Sequence, residues 1–319
     1  MYYIGVDLGG TNIAAGIVDG ENGKMVVKGS VPTLAERDGE EIVKDMAALC
    51  EKLIADAKLT KADIASVGIA APGSADCEGG IIIYANNLRF KDFHIADIFR
   101  KYYGDVKVYV ENDANAAAMG EAAYGASKGC EDSVMITLGT GLGGGVVANG
   151  KLVVGFNYSG AELGHTVIEA DGLQCSCGRR GCWEAYSSAT GLINMTKRKL
   201  DKTAKDATKM WEMVEKEGKV SGRTAFDAMR LGDAAGKEVV DEYIKYLAIG
   251  ISNMINIFQP EVFVIGGGVC NEKDYLVKPL IDIVMKEQYY KGEKRTQIKV
   301  AELGNDAGII GAAMLGANK

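Results

Sequence analysis

Ile4-Gly5-Val6-Asp7-Leu8-Gly9-Gly10, close to the start of the chain, is echoed 130 positions later by Val134-Met135-Ile136-Thr137-Leu138-Gly139-Thr140. The offset pairs Leu8 with Leu138, Gly9 with Gly139 and Gly20 with Gly150. In each copy an apolar, β-prone run ends in a glycine turn, a second apolar run follows (Ile13 to Val18 in the first copy), and a tight turn leads to a third. Strand, glycine turn, strand, tight turn, strand thus occurs twice. This predicts two similar α/β halves, each aiming a glycine-rich turn at a cleft between them.

The residues around this repeat fit such halves. Asp38 with Glu41 forms a capping box, and the helix behind it places Ile42, Met46, Leu49, Cys50, Leu53 and Ile54 on one face. Ser66 to Ala71 reads as a short strand ending at Pro72-Gly73, and Val106 to Val110 as another ending at Glu111-Asn112-Asp113. An Ala- and Met-rich helix follows, from about Asn115 to Tyr124. In the second half Val262-Phe263-Val264-Ile265 runs into Gly266-Gly267-Gly268, and a Gly/Ala-rich stretch from Leu303 to Gly316 closes the chain. Residues 195–240 are polar and helical, and read as a solvated excursion without chemistry of its own.

The 319 residues suffice for about two domains. Apolar residues are 47% and charged residues 25%, an ordinary globular balance that excludes a disordered chain. A formal charge of −7 without a Lys/Arg run argues against nucleic acid or an anionic membrane as a partner. No apolar run reaches the roughly 18 residues that span a bilayer, and Met1-Tyr2-Tyr3-Ile4 has no charged leader region. A cytoplasmic protein with reduced thiols is therefore expected. The 42 glycines set against 4 prolines point to backbone that approaches ligands closely.

Glycine turns after strands present backbone N–H groups that suit phosphate oxygens. Three are present: Asp7-Leu8-Gly9-Gly10-Thr11, Gly139 to Gly145, and Gly266-Gly267-Gly268. Gly139 to Gly144 also satisfies G-x-G-x-x-G, but a dinucleotide fingerprint opens a helix. Here Val146 to Val154 reads instead as a hairpin with an Asn149-Gly150 turn. Gly145 to Lys151 resembles a P-loop, yet Leu152 stands where a Ser or Thr would meet Mg²⁺, so neither motif is credited.

Asp113 follows an apolar strand and precedes a helix. Ligands collect at the carboxyl ends of strands in open α/β sheets, where a carboxylate can take the proton of a substrate hydroxyl. The same residue could instead cap the helix. Further on, Gly164-His165 and Cys175-Ser176-Cys177-Gly178-Arg179-Arg180-Gly181-Cys182 offer one imidazole and three thiols. Together they complete a tetrahedral zinc shell with no open position, hence a structural Zn²⁺. Glu162 and Glu184 flank this cluster and suit vicinal hydroxyls, or are surface carboxylates. His94 has no partner pattern and reads as structural.

With these residues in hand, the sequence resembles the ROK family of sugar kinases and sugar-responsive repressors. The resemblance is carried by Gly5 to Thr11, Asn112-Asp113-Ala114-Asn115, Gly139 to Gly145, Glu162-Leu163-Gly164-His165, Cys175-Ser176-Cys177-Gly178 through Gly181-Cys182-Trp183-Glu184, Gly266 to Gly268 and Leu303 to Gly308. These span nearly the whole chain in the family's order. Phe90 stands where the family often has Trp. The resemblance implies a two-domain actin/hexokinase-like (ribonuclease H-like) α/β fold with a duplicated core and interdomain cleft. One domain would cover 1–117, completed by a C-terminal helix at about 308–319, and a larger one 118–307, carrying the zinc loop.

The resemblance also implies roles. Asp113 would deprotonate a sugar 6-hydroxyl, and Asn87, Asn112, Glu162, His165 and Glu184 would bind sugar hydroxyls. Gly9, Gly10, Thr11, Gly139 and Thr140 would cradle the phosphates of ATP, Gly267 would lie near the adenosine, and Asp7 would help hold the Mg²⁺-nucleotide. His165, Cys175, Cys177 and Cys182 would bind the Zn²⁺. Ser188-Ala189-Thr190-Gly191-Leu192 looks like the glucokinase branch, which makes glucose the expected hexose, with N-acetylmannosamine, fructose, allose or mannose as alternatives. A homodimer is expected on the same ground. A repressor of this family needs a DNA-binding segment ahead of the first strand, which here is expected from about residue 2, and a non-catalytic sugar sensor is the lesser reading.

Overall fold

The computed structural model describes residues 1–317. The chain divides into two compact units, one of Met1–Met135, Gly145–Ala161 and Ala301–Lys319, the other of Ile136–Gly144 and Glu162–Val300.

In the first unit the chain runs through β1 (Tyr2–Leu8), β2 (Asn12–Asp19), β3 (Met25–Pro32), α1 (Gly39–Asp56), β4 (Ile64–Ala71), β5 (Ser74–Asp76), β6 (Ile81–Ala85), β7 (Phe90–Phe93), α2 (Ile95–Tyr103), β8 (Val108–Asn112) and α3 (Asp113–Tyr124). The main sheet has the order β3-β2-β1-β4-β8, with β1 antiparallel to β2 and parallel to β4. A small antiparallel sheet, β5-β6-β7, stands beside it in sequence. The side chain of Asp38 accepts the N–H of Glu40 and starts α1, whose Ile42, Met46, Leu49, Cys50, Leu53 and Ile54 are all buried, as their spacing predicts. They join Ile4, Val6, Leu8 and Ile13 of the sheet and Phe99 of α2 in one core.

The opposite face is built differently. Gly16, Gly5 and Gly68 are register partners on three adjacent strands. A Cβ on Gly5 would stand 1.8 Å from the carbonyl oxygen of Ile309, and one on Gly68 1.8 Å from that of Ala312. The late helix Ala307–Met314 therefore lies with its backbone directly on the sheet, an approach that only a strip without side chains permits. Of the helix expected at about 308–319, residues 318 and 319 lie outside the described residues.

The second sheet repeats the first. Its strands are β9 (Ser133–Leu138), β10 (Leu142–Ala148), β11 (Lys151–Leu152), β12 (Val262–Gly266) and β13 (Gln297–Val300), in the order β11-β10-β9-β12-β13. Residues 132–138 and 142–149, the 130-residue images of β1 and β2, are β9 and β10 to within a residue or two. Asn149 (φ 51°) and Gly150 (φ 71°) form the hairpin turn between β10 and β11, the left-handed pair that type I′ geometry requires. The result is the duplicated α/β core of the actin/hexokinase-like fold.

Helices α4 (Trp183–Ser187), α5 (Ala189–Leu200), α6 (Met210–Glu217), α7 (Thr224–Arg230), α8 (Ala234–Phe258) and α9 (Asp274–Glu287) complete the second unit, and α10 (Ala307–Met314) is the late helix of the first. Trp183 is fully buried against α8, where a Cβ on Gly250 would lie 2.0 Å from its ring. Residues 195–240 are not a solvated excursion: Met210, Ala225 and Phe226 are fully buried. Their apolar residues are sparse in sequence and collect on one side only once α6, α7 and α8 pack. Among the described residues no helix is long and apolar enough to cross a membrane.

Candidate active site and metal centre

In the first unit the turn after β1 is braced through its carbonyls. Gly9 N–H donates to Asn12 O at 3.0 Å, while the Thr33 hydroxyl donates to Gly9 O at 2.6 Å and its N–H to Thr11 O at 2.9 Å. Gly10 and Thr11 remain exposed, as a phosphate-binding turn needs. Thr33 is fully buried, and as a lone threonine beyond an edge strand it carries no sequence signal. Asn87 sits in a 3-10 turn over Asn86–Leu88, and a Cβ on Gly10 would lie 4.0 Å from its own Cβ.

Asp113 is the first residue of α3, not its cap. The cap is Asn112, whose Oδ1 accepts from the N–H of Ala114 (2.9 Å) and Asn115 (3.1 Å) while its Nδ2 donates to Gly73 O at 2.9 Å. Buried Glu111 holds the motif from below, its Oε1 accepting from Asn112 N–H at 2.8 Å and Asn115 Nδ2 at 3.1 Å. The sequence reading gave Glu111 no role. Its signal was a carboxylate ending an apolar strand. Asn112 takes the capping duty, and Asp113 Oδ1 accepts from Ala114 N–H at 2.8 Å.

Solvent reaches Asp113, yet the surrounding protein strips enough hydration to raise its pKa, against the opposing hydrogen bonds from the Ala114 and Asp113 N–H groups and the Asn112 side chain. Asp7, at the end of β1, is pushed up to about 6, first by burial and then by the charge of Asp113. The fold thus brings these two carboxylates within electrostatic reach.

In the second unit His165 ends a 3-10 turn over Leu163–His165, and the cysteines lie on a loop closed by Cys175 N–H to Arg179 O (2.9 Å) and by pairing of Val167 with Cys182. Gly181 (φ 79°) is obligatory, since a Cβ there would stand 1.7 Å from Glu169 O. The ligating atoms of His165, Cys175, Cys177 and Cys182 all lie within 4.8 Å of one another. Cys175 Sγ is 3.7 Å from His165 Nδ1, and Cys177 Sγ is 3.7 Å from Cys182 Sγ. Zinc–sulfur bonds of about 2.3 Å at tetrahedral angles give edges of about 3.8 Å, so the donor set fits a closed zinc site. Burial pushes the Cys182 thiol up to about 12, so a thiolate there calls for a cation.

The third motif of this unit touches the second. Glu184 Oε2 accepts Leu142 N–H at 2.9 Å, and Oε1 accepts the Ser176 hydroxyl at 3.1 Å. Gly139 O accepts Ala189 N–H at 2.9 Å, and Thr140 O accepts the Thr190 hydroxyl at 2.7 Å. Gly267 (φ 96°) is pressed onto β9, where a Cβ would meet Leu138 O at 2.4 Å. Glu162 is exposed just ahead of the His165 turn. Asp7, Gly9, Gly10, Thr11, Asn87, Asn112 and Asp113 therefore belong to the first unit, and Gly139, Thr140, Glu162, His165, Glu184 and Gly267 to the second. His94 is exposed, with Nδ1 3.7 Å from Asp97.

The ROK family profile matches residues 3–319. The chain belongs to the ROK family. Among its relatives, the glucokinase of Thermotoga maritima is 37% identical, over 98% of this chain and 96% of that one. The glucokinase of Halalkalibacterium halodurans is 36% identical, over 98% and 94%. A ROK glucokinase from Streptomyces griseus, solved with glucose and AMPPNP, superposes with a TM-score of 0.81 at 34% identity and covers 100% of both chains.

Proposed function

We propose that this ROK protein is an ATP-dependent hexose kinase that phosphorylates the 6-hydroxyl of glucose, with Asp113 as general base. The carboxylate at the carboxyl end of β8 carries the proposal: open to solvent, relieved of capping duty by Asn112, and with a pKa raised by its partly desolvated surroundings. A base whose pKa lies nearer the working pH is the more effective one. The glucokinase relatives favour glucose among the hexoses.

Asp113 removes the 6-hydroxyl proton as the oxygen bonds to the γ-phosphorus. The bond from that phosphorus to the β-bridging oxygen breaks, ADP departs, and the proton passes from Asp113 to water. Mg²⁺ bound with ATP would neutralise the charge that builds on the phosphates during transfer. Asp7 is placed to hold this Mg²⁺-nucleotide, and the glycine turns that carry Gly9, Gly10, Thr11, Gly139 and Thr140 suit its phosphates, with the exposed Gly10-Thr11 and Gly139-Thr140 backbone nearest them and Gly267 beside the adenosine. Asn87, Asn112, Glu162 and Glu184 orient the sugar hydroxyls. His165, through Nδ1, would hold a zinc ion together with Cys175, Cys177 and Cys182, which would leave Nε2 for a hydroxyl. With four protein ligands and no open position, a zinc held there would order the sugar loop and take no part in the transfer. The chain works as a cytoplasmic homodimer.

The test is a panel of glucose, mannose, fructose, allose and N-acetylmannosamine with ATP, read by ADP release. Highest kcat/KM on glucose is expected. Turnover on another hexose alone overturns the glucose assignment, and sugar binding without turnover overturns the kinase.

A further inference from the structure

A 3-10 turn over Gly268–Glu272 carries the second unit from β12 to α9, and it contains two costly features. Glu272 is a carboxylate only 5% exposed. Its neighbour Lys273 has φ 52° and ψ −128°, a region that residues with a Cβ rarely enter.

One side chain secures both. Arg230, the last residue of α7, sets Nη2 against Glu272 Oε2 and Nη1 2.6 Å from Asp227 Oδ1. Its guanidinium lies 4.7 Å above the Tyr275 ring and 6.0 Å from that of fully buried Phe226. The planar fork therefore serves two carboxylates while its face rests on rings, which a lysine ammonium cannot reproduce. Without this cation the carboxylate would be left buried and unpaired, a costly arrangement that the turn relieves by moving Glu272 towards water. At the other end of the turn Gly267 lies against β9, so close that even a methyl group would collide with Leu138. The turn links its two ends through its own backbone, Gly267 O accepting Cys270 N–H at 3.1 Å and Cys270 O accepting Lys273 N–H at 3.0 Å, so a shift at Glu272 and Lys273 is passed to the Gly267–Gly268 backbone.

We propose that Arg230 is a positioning residue for the nucleotide, holding the Gly267–Gly268 turn in the register that the adenosine moiety needs. This rests on the kinase reading for the role of Gly267. It also gives a task to a segment whose sequence alone suggests none. Arg230→Met should weaken ADP binding, measured by calorimetry, and raise KM for ATP, each about tenfold, with kcat and the hexose KM within about twofold of wild type. Arg230→Lys, which keeps the charge and the fold but loses the fork, should give about a threefold rise in the same two quantities. Arg230→Met/Glu272→Met, which removes both charges, should recover most of the loss.

Unchanged ADP affinity in Arg230→Lys and Arg230→Met overturns the proposal, as does an equal loss of hexose affinity and kcat, the mark of a merely structural role. Wild-type protein that binds ADP but phosphorylates no hexose overturns the kinase reading alone, because the ADP measurement still decides Arg230. Wild-type protein without affinity for ADP overturns this proposal.

Discussion

Glu184 accepts the backbone N–H of Leu142 at 2.9 Å with one carboxylate oxygen and the hydroxyl of Ser176 at 3.1 Å with the other. One side chain thus braces the glycine-rich turn after β9 against the loop that carries the three cysteines of the His/Cys cluster. The turn is shaped to receive it, since a Cβ on Gly141 would stand 2.5 Å from Glu184 Oε2. Glu184→Ala should release both segments, raising KM for ATP and for hexose by about tenfold or more, in line with the roughly 1–3 kcal/mol lost when a charged hydrogen-bond partner is removed. Glu184→Gln retains an acceptor for Leu142 and should keep KM for ATP within about threefold. Steady-state kinetics with each substrate varied in turn checks this.

Asp113→Asn should retain hexose affinity while kcat falls by about 10²–10⁴, the usual worth of a positioned base. The amide still accepts from Ala114 N–H, so α3 should start unchanged. Sugar binding by calorimetry together with single-turnover phosphorylation separates the two effects. Undiminished turnover would remove Asp113 from the mechanism.

Asp7 makes a prediction about pH. Its folded-state pKa is about 6, against 3.8 for an ordinary aspartate. Between those values the folded chain holds more protons than the unfolded one, so this group's contribution to stability declines as pH rises from about 4 to about 6. Above that window the full cost is present. Asp7→Asn removes it and should be more stable than wild type at pH 7.5 by about 1–3 kcal/mol, with the gap closing near pH 4. Denaturant unfolding at the two pH values measures the difference. A constant gap would show that burial does not shift this group.

Zinc removal should lower stability and hexose binding together, because the cluster ties His165 to the loop. Cys182→Ser should do the same, with metal content falling from about one zinc per chain towards none. Elemental analysis with thermal melts before and after chelation is the measurement. Metal-free protein with full stability and full sugar affinity would refute the structural role.

Gly5→Ala should destabilise the first unit by about 3 kcal/mol or more, since its new methyl would drive into the Ile309 carbonyl. Gly150→Ala meets nothing within 4 Å and costs only its left-handed backbone (φ 71°), so about 1 kcal/mol is expected. Comparing the two melts distinguishes a close-approach glycine from a turn glycine.

Much of the fold was legible because its signals are local. The repeat at 130 residues survives as β1–β2 and β9–β10, and the Asn149-Gly150 turn declares its own type. The Cys175 to Cys182 spacing is equally local, and its ligand atoms gather as that spacing implies. Asp113 stood out by its place between a strand and a helix, but whether it capped that helix was open until Asn112 proved to be the cap.

Readable in the sequence alone were the duplicated strand–turn–strand pattern, the His/Cys cluster and the candidate base, for each shows itself in short runs of residue types. Tertiary structure alone decided that Glu184 links Ser176 to Leu142, that Thr33 braces the turn at Gly9, and that Arg230 meets Glu272. The last two of these join residues 24 and 42 positions apart. No periodicity encodes such pairs, because a buried polar group chooses its partner only after packing has set which side chains share its dry surroundings.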